Sequence, residues 1–255
     1  MTYRAWATRG LLLGALAGLV WQAPAAWLAS VVQSLSHNKL QLRQPQGTVW
    51  RGSAQWVLAS DAQGVDAMAL PQRLSWRIQP QADASVRIEL ELPCCAAQAL
   101  KIWLRPQWGG ATLELGNATS DWPLAWLVGL GAPWNTMALE GQARLNTQDL
   151  RWQWSAQGGQ LQGQAQLQLL SVSSRLSTLR PLGSYALNLQ GGPTPQFQLS
   201  TVSGQLQLSG KGDWRAKGLH FEGMAQAQTG SEVALASLLG VLGQRQGNTT
   251  VLRWG

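Results

Sequence analysis

Residues 159–169 read GQLQGQAQLQL and decide the fold class, because glutamine occupies every second position. Successive side chains of a β-strand point to opposite faces, so this stretch predicts a strand with one polar and one apolar face. Antiparallel sheets with one face in water show this pattern. The polar face would carry Gln160, Gln162, Gln164, Gln166 and Gln168, and the apolar face Leu161, Gly163, Ala165, Leu167 and Leu169.

The same alternation recurs on both sides of this stretch. Glycine and proline separate the alternating runs at short intervals, as turns do between strands. We therefore predict a mostly β protein with an antiparallel sheet that has one apolar and one solvated face. A closed barrel or two packed sheets would let the apolar side chains fill each other's space; we expect instead an open, curved sheet. The alternating apolar positions include Leu74, Trp76, Ile78, Val86, Ile88, Leu90, Leu92, Leu150, Trp152, Trp154, Tyr185, Leu187, Leu189, Leu206 and Leu208.

Two apolar segments predict short helices that cover an open end of the sheet. Residues 122–131 have Pro123 in the first turn and Ser120 or Asp121 as the N-cap. Residues 231–244 have leucines at mostly helical spacing and Ser231 as the N-cap. We expect the second of these helices to lie against one end of the sheet.

The chain opens with Arg4 and Arg9, followed by an uncharged apolar run over residues 11–32. This run is long enough to cross a hydrocarbon core of about 30 Å as a helix. Basic residues on the short side keep that side in the cytoplasm, so the rest of the chain is exported. A cleaved signal peptide is the alternative, because Ala23-Pro24-Ala25 fits the small-x-small cleavage pattern.

These features predict two regions along the chain. Residues 1–33 form a cytoplasmic N-terminus and a transmembrane anchor, and residues 34–255 form a periplasmic β domain. The domain divides into two halves, over residues 40–120 and 136–255. The apolar segment near Trp122 is the divider.

The basic residues are dispersed along the chain rather than clustered. There are 19 Lys and Arg against 12 Asp and Glu, for a net charge of +7, yet no three basic residues are consecutive. Phosphate binding along a nucleic acid requires clustered Lys and Arg, so a nucleic-acid partner is not expected. The charge instead favours work near an anionic membrane surface.

No catalytic or metal-binding pattern is found. His37 and His220 stand outside any motif, and Cys94 and Cys95 are adjacent, which leaves a vicinal ring, an interchain pair or free thiols open. Glu89 and Glu91 with Arg87 are typical of a solvated strand face rather than a glycosidase pair. We expect a protein that is not an enzyme and has no metal or cofactor.

Residues 47–56 read GTVWRGSAQW and contain no group for acid–base chemistry. Gly47 and Gly52 permit a turn or a close approach of backbone. If the stretch is extended, Trp50, Gly52, Ala54 and Trp56 share one face. Trp50 would then seal the membrane-proximal end of the sheet, or alternatively contact a lipid or a partner.

Together with later segments, this stretch resembles the type II secretion system protein N family. A Gly-x-x-Trp-x-Gly turn is followed by the strand LSWRIQP over residues 74–80 and by RPLGSY over residues 180–185. Further similar pieces, such as GQLQLSG at residues 204–210, extend the resemblance over nearly the whole chain. The motif residues, expected to be structural, are Gly47, Trp50, Gly52, Trp76, Pro80, Pro181, Gly183 and Tyr185.

The resemblance implies an accessory inner-membrane component of the type II secretion system. Such a component supports the export of folded proteins across the outer membrane, with other inner-membrane components as partners. The family's fold is similar to the curved sheet grooves of AsmA-like and lipopolysaccharide-transport proteins. A periplasmic protein that binds or transfers lipid in such a groove is the alternative function.

Overall fold

The chain folds mainly as one large open antiparallel sheet, as the alternation predicts. The computed structural model describes residues 14–15, 18–60, 66–156, 158–215, 218–247 and 249–254. The strands are β1 (Leu40–Gly47), β2 (Arg51–Leu58), β3 (Met68–Pro80), β4 (Val86–Glu91), β5 (Leu100–Gln107), β6 (Gly110–Leu115), β7 (Ala118–Pro123), β8 (Glu140–Ser155), β9 (Gly158–Ser173), β10 (Gly183–Gly192), β11 (Gln196–Gly204), β12 (Leu206–Arg215), β13 (Gly218–Ala227), β14 (Gln244–Gln246) and β15 (Thr249–Trp254).

Neighbours in sequence are almost always neighbours in the sheet. The order is β1-β2-β3-β4-β5-β6-β8-β9-β10-β11-β12-β13-β15-β14, with β7 pairing with β8 beside β6. Consecutive strands are joined by short connections, which is the arrangement expected of an antiparallel meander. The sheet is continuous across the boundary between the two expected halves, so their division stays a prediction.

The short helices are α1 (Ala25–Leu35), a 3₁₀ helix (Leu124–Leu130), α2 (Trp134–Met137) and α3 (Glu232–Leu242). The prediction of a helix over residues 122–131 is wrong at its start, because Trp122 and Pro123 belong to β7. Pro123 is the N-cap residue rather than part of the first turn, and no side chain caps the 3₁₀ helix. Backbone pairing with β8 thus outweighs the local helix signal of this segment.

Helix α3 confirms the second predicted helix with slightly shorter bounds. Ser231 is the N-cap residue, but its hydroxyl does not cap the helix. It donates to Oε1 of Gln205 at 3.0 Å instead. The apolar side of α3 carries Leu235, Leu238 and Leu239, all buried in the main core. The helix therefore covers the apolar face beside β13 and β15, as expected.

The predicted single helix over residues 11–32 is interrupted in the part of it that is described. Residues 18–21 are helical, and α1 begins at Ala25 after a break at Pro24, which is extended (φ −69°, ψ 147°). Proline lacks the N–H that would continue the first helix. Within the described residues, no helix is both long and apolar enough to cross a membrane. Residues 1–13 and 16–17, which include the start of the apolar run, lie outside the described residues.

Two hydrophobic clusters lie on the apolar face of the sheet. One contains Ala54, Leu74 and Trp76 from the N-terminal strands, and Ala25 of α1 packs into it. The other lies under α3 and the 3₁₀ helix and contains buried residues from β8 to β13. Trp122 packs against both clusters, so it connects the two parts of the core.

Candidate functional site

The segment 47–52 is the turn between β1 and β2. Thr48 N–H donates to the carbonyl of Arg51 at 2.8 Å, and Arg51 N–H donates to the hydroxyl of Thr48 at 3.2 Å. Gly47 has φ +87°, and a Cβ there would lie 2.5 Å from the Arg51 carbonyl oxygen. Glycine is required at this position because both the conformation and the space exclude a side chain.

Gly52 and Trp76 face each other across β2 and β3. A Cβ on Gly52 would lie 2.5 Å from the Trp76 ring and 2.6 Å from the Gln46 carbonyl oxygen. The ring is 5% exposed, and its N–H donates to the carbonyl of Val49 at 2.9 Å. Trp76 therefore lies over Gly52 and contacts the turn, and a structural role for both motif residues stays a prediction.

Trp50 fastens the turn to the segment that precedes α1. Its indole N–H donates to the carbonyl of Val20 at 2.8 Å, and its ring centroid lies 6.4 Å from that of Trp21. The Trp50 carbonyl accepts from Ile78 N–H at 2.7 Å, two residues before the motif residue Pro80, which ends β3. The sequence placed Trp50 at one end of the sheet but did not identify these contacts, since nothing local marks them.

The second group of motif residues lies far along the chain, where β10 begins. The Tyr185 hydroxyl donates to the carbonyl of Leu206 at 3.1 Å, and the side chain is only 2% exposed. This burial raises the pKa of the phenol above its ordinary value. A Cβ on Gly183 would lie 2.9 Å from that hydroxyl oxygen. Pro181 precedes this close contact, where Leu182 N–H donates to the carbonyl of Val172 at 2.7 Å.

The apolar face carries a row of leucines across four adjacent strands. Leu145, Leu167, Leu187 and Leu199 pair directly with one another from β8 to β11, and all four are half-buried. Directly opposed residues share a face of an antiparallel sheet. The row therefore confirms the predicted apolar face and places Leu187 in its middle.

Two tryptophans show that this apolar face bends inward. Three strands separate β8 from β12, a spacing of about 19 Å in a flat sheet. Yet the ring centroids of Trp152 on β8 and Trp214 on β12 are 5.9 Å apart, in an edge-to-face contact. Trp154 and Trp214 are 44% and 51% exposed. The aromatic cluster of Trp152, Trp154 and Trp214 thus lies at the strand end opposite to α3, half open to solvent.

The opposite face carries polar side chains in an adjacent row. Asn146, Gln166, Asn188, Gln198 and Lys211 pair across β8 to β12. Gln166 donates to Oδ1 of Asn188 at 3.0 Å. A groove of about 960 Å³ lies over this part of the face, and half of its lining residues are Asn or Gln. The prediction of a wet glutamine face on β9 is confirmed, but the groove depends on strand register and carried no signal in the sequence.

The remaining chemistry-bearing residues do not converge. Cys94 and Cys95 are joined by a disulfide between adjacent residues, one of the three alternatives that the sequence left open. His220 lies on β13 opposite Asp213, and the Arg215 guanidinium lowers the pKa of that carboxyl. Across the described ranges, no group of three or more His, Cys, Asp or Glu could hold a metal ion.

The fold and the two motif clusters define a class of protein: an open antiparallel sheet with an inward-bent apolar face, in which the motif residues lie at turns and strand starts. The family model "Type II secretion system (T2SS), protein N" matches residues 38–252, and the chain belongs to this family. This confirms the resemblance of the motif segments. A comparison with curated proteins found no match, and a comparison with solved structures found none either.

Proposed function

We propose that this type II secretion system component is an accessory inner-membrane protein whose sheet lies in the periplasm and supports export of folded proteins across the outer membrane. Contacts with other components of the system follow from family membership. The observation that carries the location is the apolar run over residues 11–32, which joins the sheet through the Trp50 contacts with Val20 and Trp21. The role is a non-catalytic one, in assembly.

The N-terminal segment is retained on this proposal rather than cleaved. Ala23 and Ala25, which would form a signal-peptide cleavage site, are 6% and 2% exposed. Val49 N–H donates to the carbonyl of Ala23 at 2.9 Å, and Pro24 pairs with Thr48. A segment so integrated into the turn supports an uncleaved anchor.

Fusion reporters test the location. A reporter active only in the periplasm, fused after Gly255, should be active, whereas one active only in the cytoplasm should be silent. N-terminal sequencing of the extracted protein should find no mature end at Ala26. The reverse reporter result would contradict the proposed topology, and a mature end at Ala26 would contradict the anchor.

Deletion of the chain tests the role in secretion. We expect substrates of the type II system to accumulate in the periplasm, and re-expression of the full chain to restore their release. Crosslinking in intact cells should recover other inner-membrane components of the system. Normal secretion in the deletion strain would contradict the accessory role.

The alternative is that the inward-bent apolar face binds a lipid, as a groove similar to those of AsmA-like and lipopolysaccharide-transport proteins would. The contact between Trp152 and Trp214 favours it, because it supports a trough rather than a flat sheet. The half-buried leucine row would line this trough. Lipid analysis of the purified chain tests it: stoichiometric phospholipid lost in a Leu187→Arg variant would support binding, and its absence in the wild type would exclude it.

A further inference from the structure

The turn between β1 and β2 carries a basic site on the polar face of the sheet. Arg51 and Arg77 are directly opposed across β2 and β3, and both side chains are exposed. Like charges in directly opposed positions destabilise a sheet unless a counter-charge is present. Among the described residues, neither guanidinium forms an ion pair with an acidic side chain.

The nearby carboxylates are engaged with other groups. Glu91 accepts a hydrogen bond from the Ser75 hydroxyl at 3.0 Å, and Glu89 lies 3.5 Å from Nε of Arg87. Both line the same shallow groove of about 360 Å³ as the two opposed arginines. The groove thus contains two guanidinium groups that form no salt bridge in the described residues, together with two carboxylates, of which Glu89 is directly opposite Arg77 on β4.

The same turn is joined to the apolar N-terminal segment. Trp50 contacts Val20 and Trp21, and Trp21 is 75% exposed. Tryptophan favours the interface between hydrocarbon and water, where its ring is apolar and its N–H is polar. If the apolar run lies in the bilayer, these contacts bring the turn to the level of the lipid headgroups.

We propose that Arg51 and Arg77 bind the phosphate of an anionic phospholipid headgroup and so fix the sheet against the membrane surface. This proposal rests on the proposed membrane location of the N-terminal segment. Guanidinium groups present paired donors that match phosphate oxygens. Glu89 on β4 is opposite Arg77, whereas β1 places no acidic residue opposite Arg51, so the anionic surface of the bilayer supplies the counter-charge on the Arg51 side.

The test uses the purified full chain in dodecyl maltoside with equal amounts of dioleoylphosphatidylglycerol and dioleoylphosphatidylcholine. Native mass spectrometry counts the retained lipids of each class. The wild type should prefer phosphatidylglycerol, and Arg51→Gln with Arg77→Gln should reduce that preference roughly tenfold. The matched control is Lys211→Gln with Arg253→Gln, which removes two charges that flank Glu222 on the same face. It should retain the wild-type preference.

Three results of the lipid measurement would overturn the proposal. They are an unchanged preference in the Arg51 and Arg77 variant, an equal loss in the control variant, and full displacement of phosphatidylglycerol by inorganic phosphate, which would assign the site to a soluble anion. An acidic protein crosslinked at residue 51 in cells, without lipid retention, would also overturn it. The reporter fusions distinguish this proposal from the proposed membrane topology. If the periplasmic reporter is active but the Arg51 and Arg77 variant keeps the wild-type lipid preference, only the phospholipid site is contradicted.

Discussion

At the scale of single residues, close packing accounts for the glycines of the family motif. Gly52 leaves the space that the Trp76 ring occupies, and Gly47 adopts a conformation that a side chain would strain. Gly183 leaves room for the Tyr185 hydroxyl in the same way. Each glycine of the family motif therefore has an aromatic side chain or a backbone carbonyl in the space that a Cβ would occupy.

Gly52→Ala tests this packing. The added methyl group would overlap the Trp76 ring and the Gln46 carbonyl, so we expect a loss of about 1–3 kcal/mol in the free energy of unfolding. Urea denaturation of the purified full chain measures it. Gly240→Ala is the control, because nothing lies within 4 Å of its Cβ position in α3. It should raise stability by about 0.5–1 kcal/mol, and an equal loss in both variants would contradict the packing argument.

Tyr185→Phe removes the donor to the Leu206 carbonyl. A buried acceptor left without its partner costs about 1–3 kcal/mol, measured by urea denaturation near neutral pH.

The raised pKa of Tyr185 also makes wild-type stability depend on alkaline pH. The phenol ionises near pH 10, about its ordinary pKa, in the unfolded chain, but it stays protonated at that pH in the folded protein. The free energy of unfolding therefore has its full value below about pH 10 and decreases above it.

The phenylalanine variant lacks this titration. Its stability should therefore fall less steeply than that of the wild type between about pH 9 and pH 11. Parallel pH profiles for the two proteins would contradict the assignment.

At the scale of elements, α3 acts as a cover for one end of the apolar face. Its buried leucines pack on β13 and β15, and its other side faces solvent. Ser231 illustrates how tertiary contacts override a local signal, since its hydroxyl bonds to Gln205 rather than to the helix backbone. The 3₁₀ helix similarly begins only where β7 stops pairing with β8.

A carboxylate on either side of α3 should distinguish these two faces. Leu235→Glu buries a charge at a site that is 0% exposed. We expect the free energy of unfolding to fall by at least about 3 kcal/mol, which a lower melting temperature would show. Val233→Glu changes a site in the same turn that is 93% exposed, and its effect should stay within about 0.5 kcal/mol. Similar effects in the two variants would show that α3 does not cover the sheet.

At the scale of the whole molecule, one sheet carries an apolar face and a polar face over its length. The leucine row and the amide row are one residue apart on every strand from β8 to β11. The apolar face bends inward, and from β8 to β11 the adjacent row on the other face consists of uncharged amides. The two faces are therefore suited to different contacts.

Leu187→Arg and Asn188→Arg compare the two faces at adjacent positions. Arginine at position 187 would place a charge between Leu167 and Leu199. We expect the free energy of unfolding to fall by about 2–4 kcal/mol, or secretion to be lost. Arginine at position 188 would extend into solvent from the exposed polar row, and the free energy of unfolding should change by no more than about 0.5 kcal/mol. Thermal unfolding and a secretion assay measure both, and tolerance at 187 with loss at 188 would invert the assignment of faces.

The sequence by itself determined most of the strands, the two faces, helix α3 and the family, because alternation with a period of two and turn residues are local signals. It also predicted a structural role for Gly47, Trp50, Gly52 and Trp76. Only the tertiary structure decided which residues meet: Trp76 over Gly52, Trp152 against Trp214, and Arg51 opposite Arg77. Register and the contacts across the bend arise from pairing and packing between distant segments, and no local pattern in the chain encodes them.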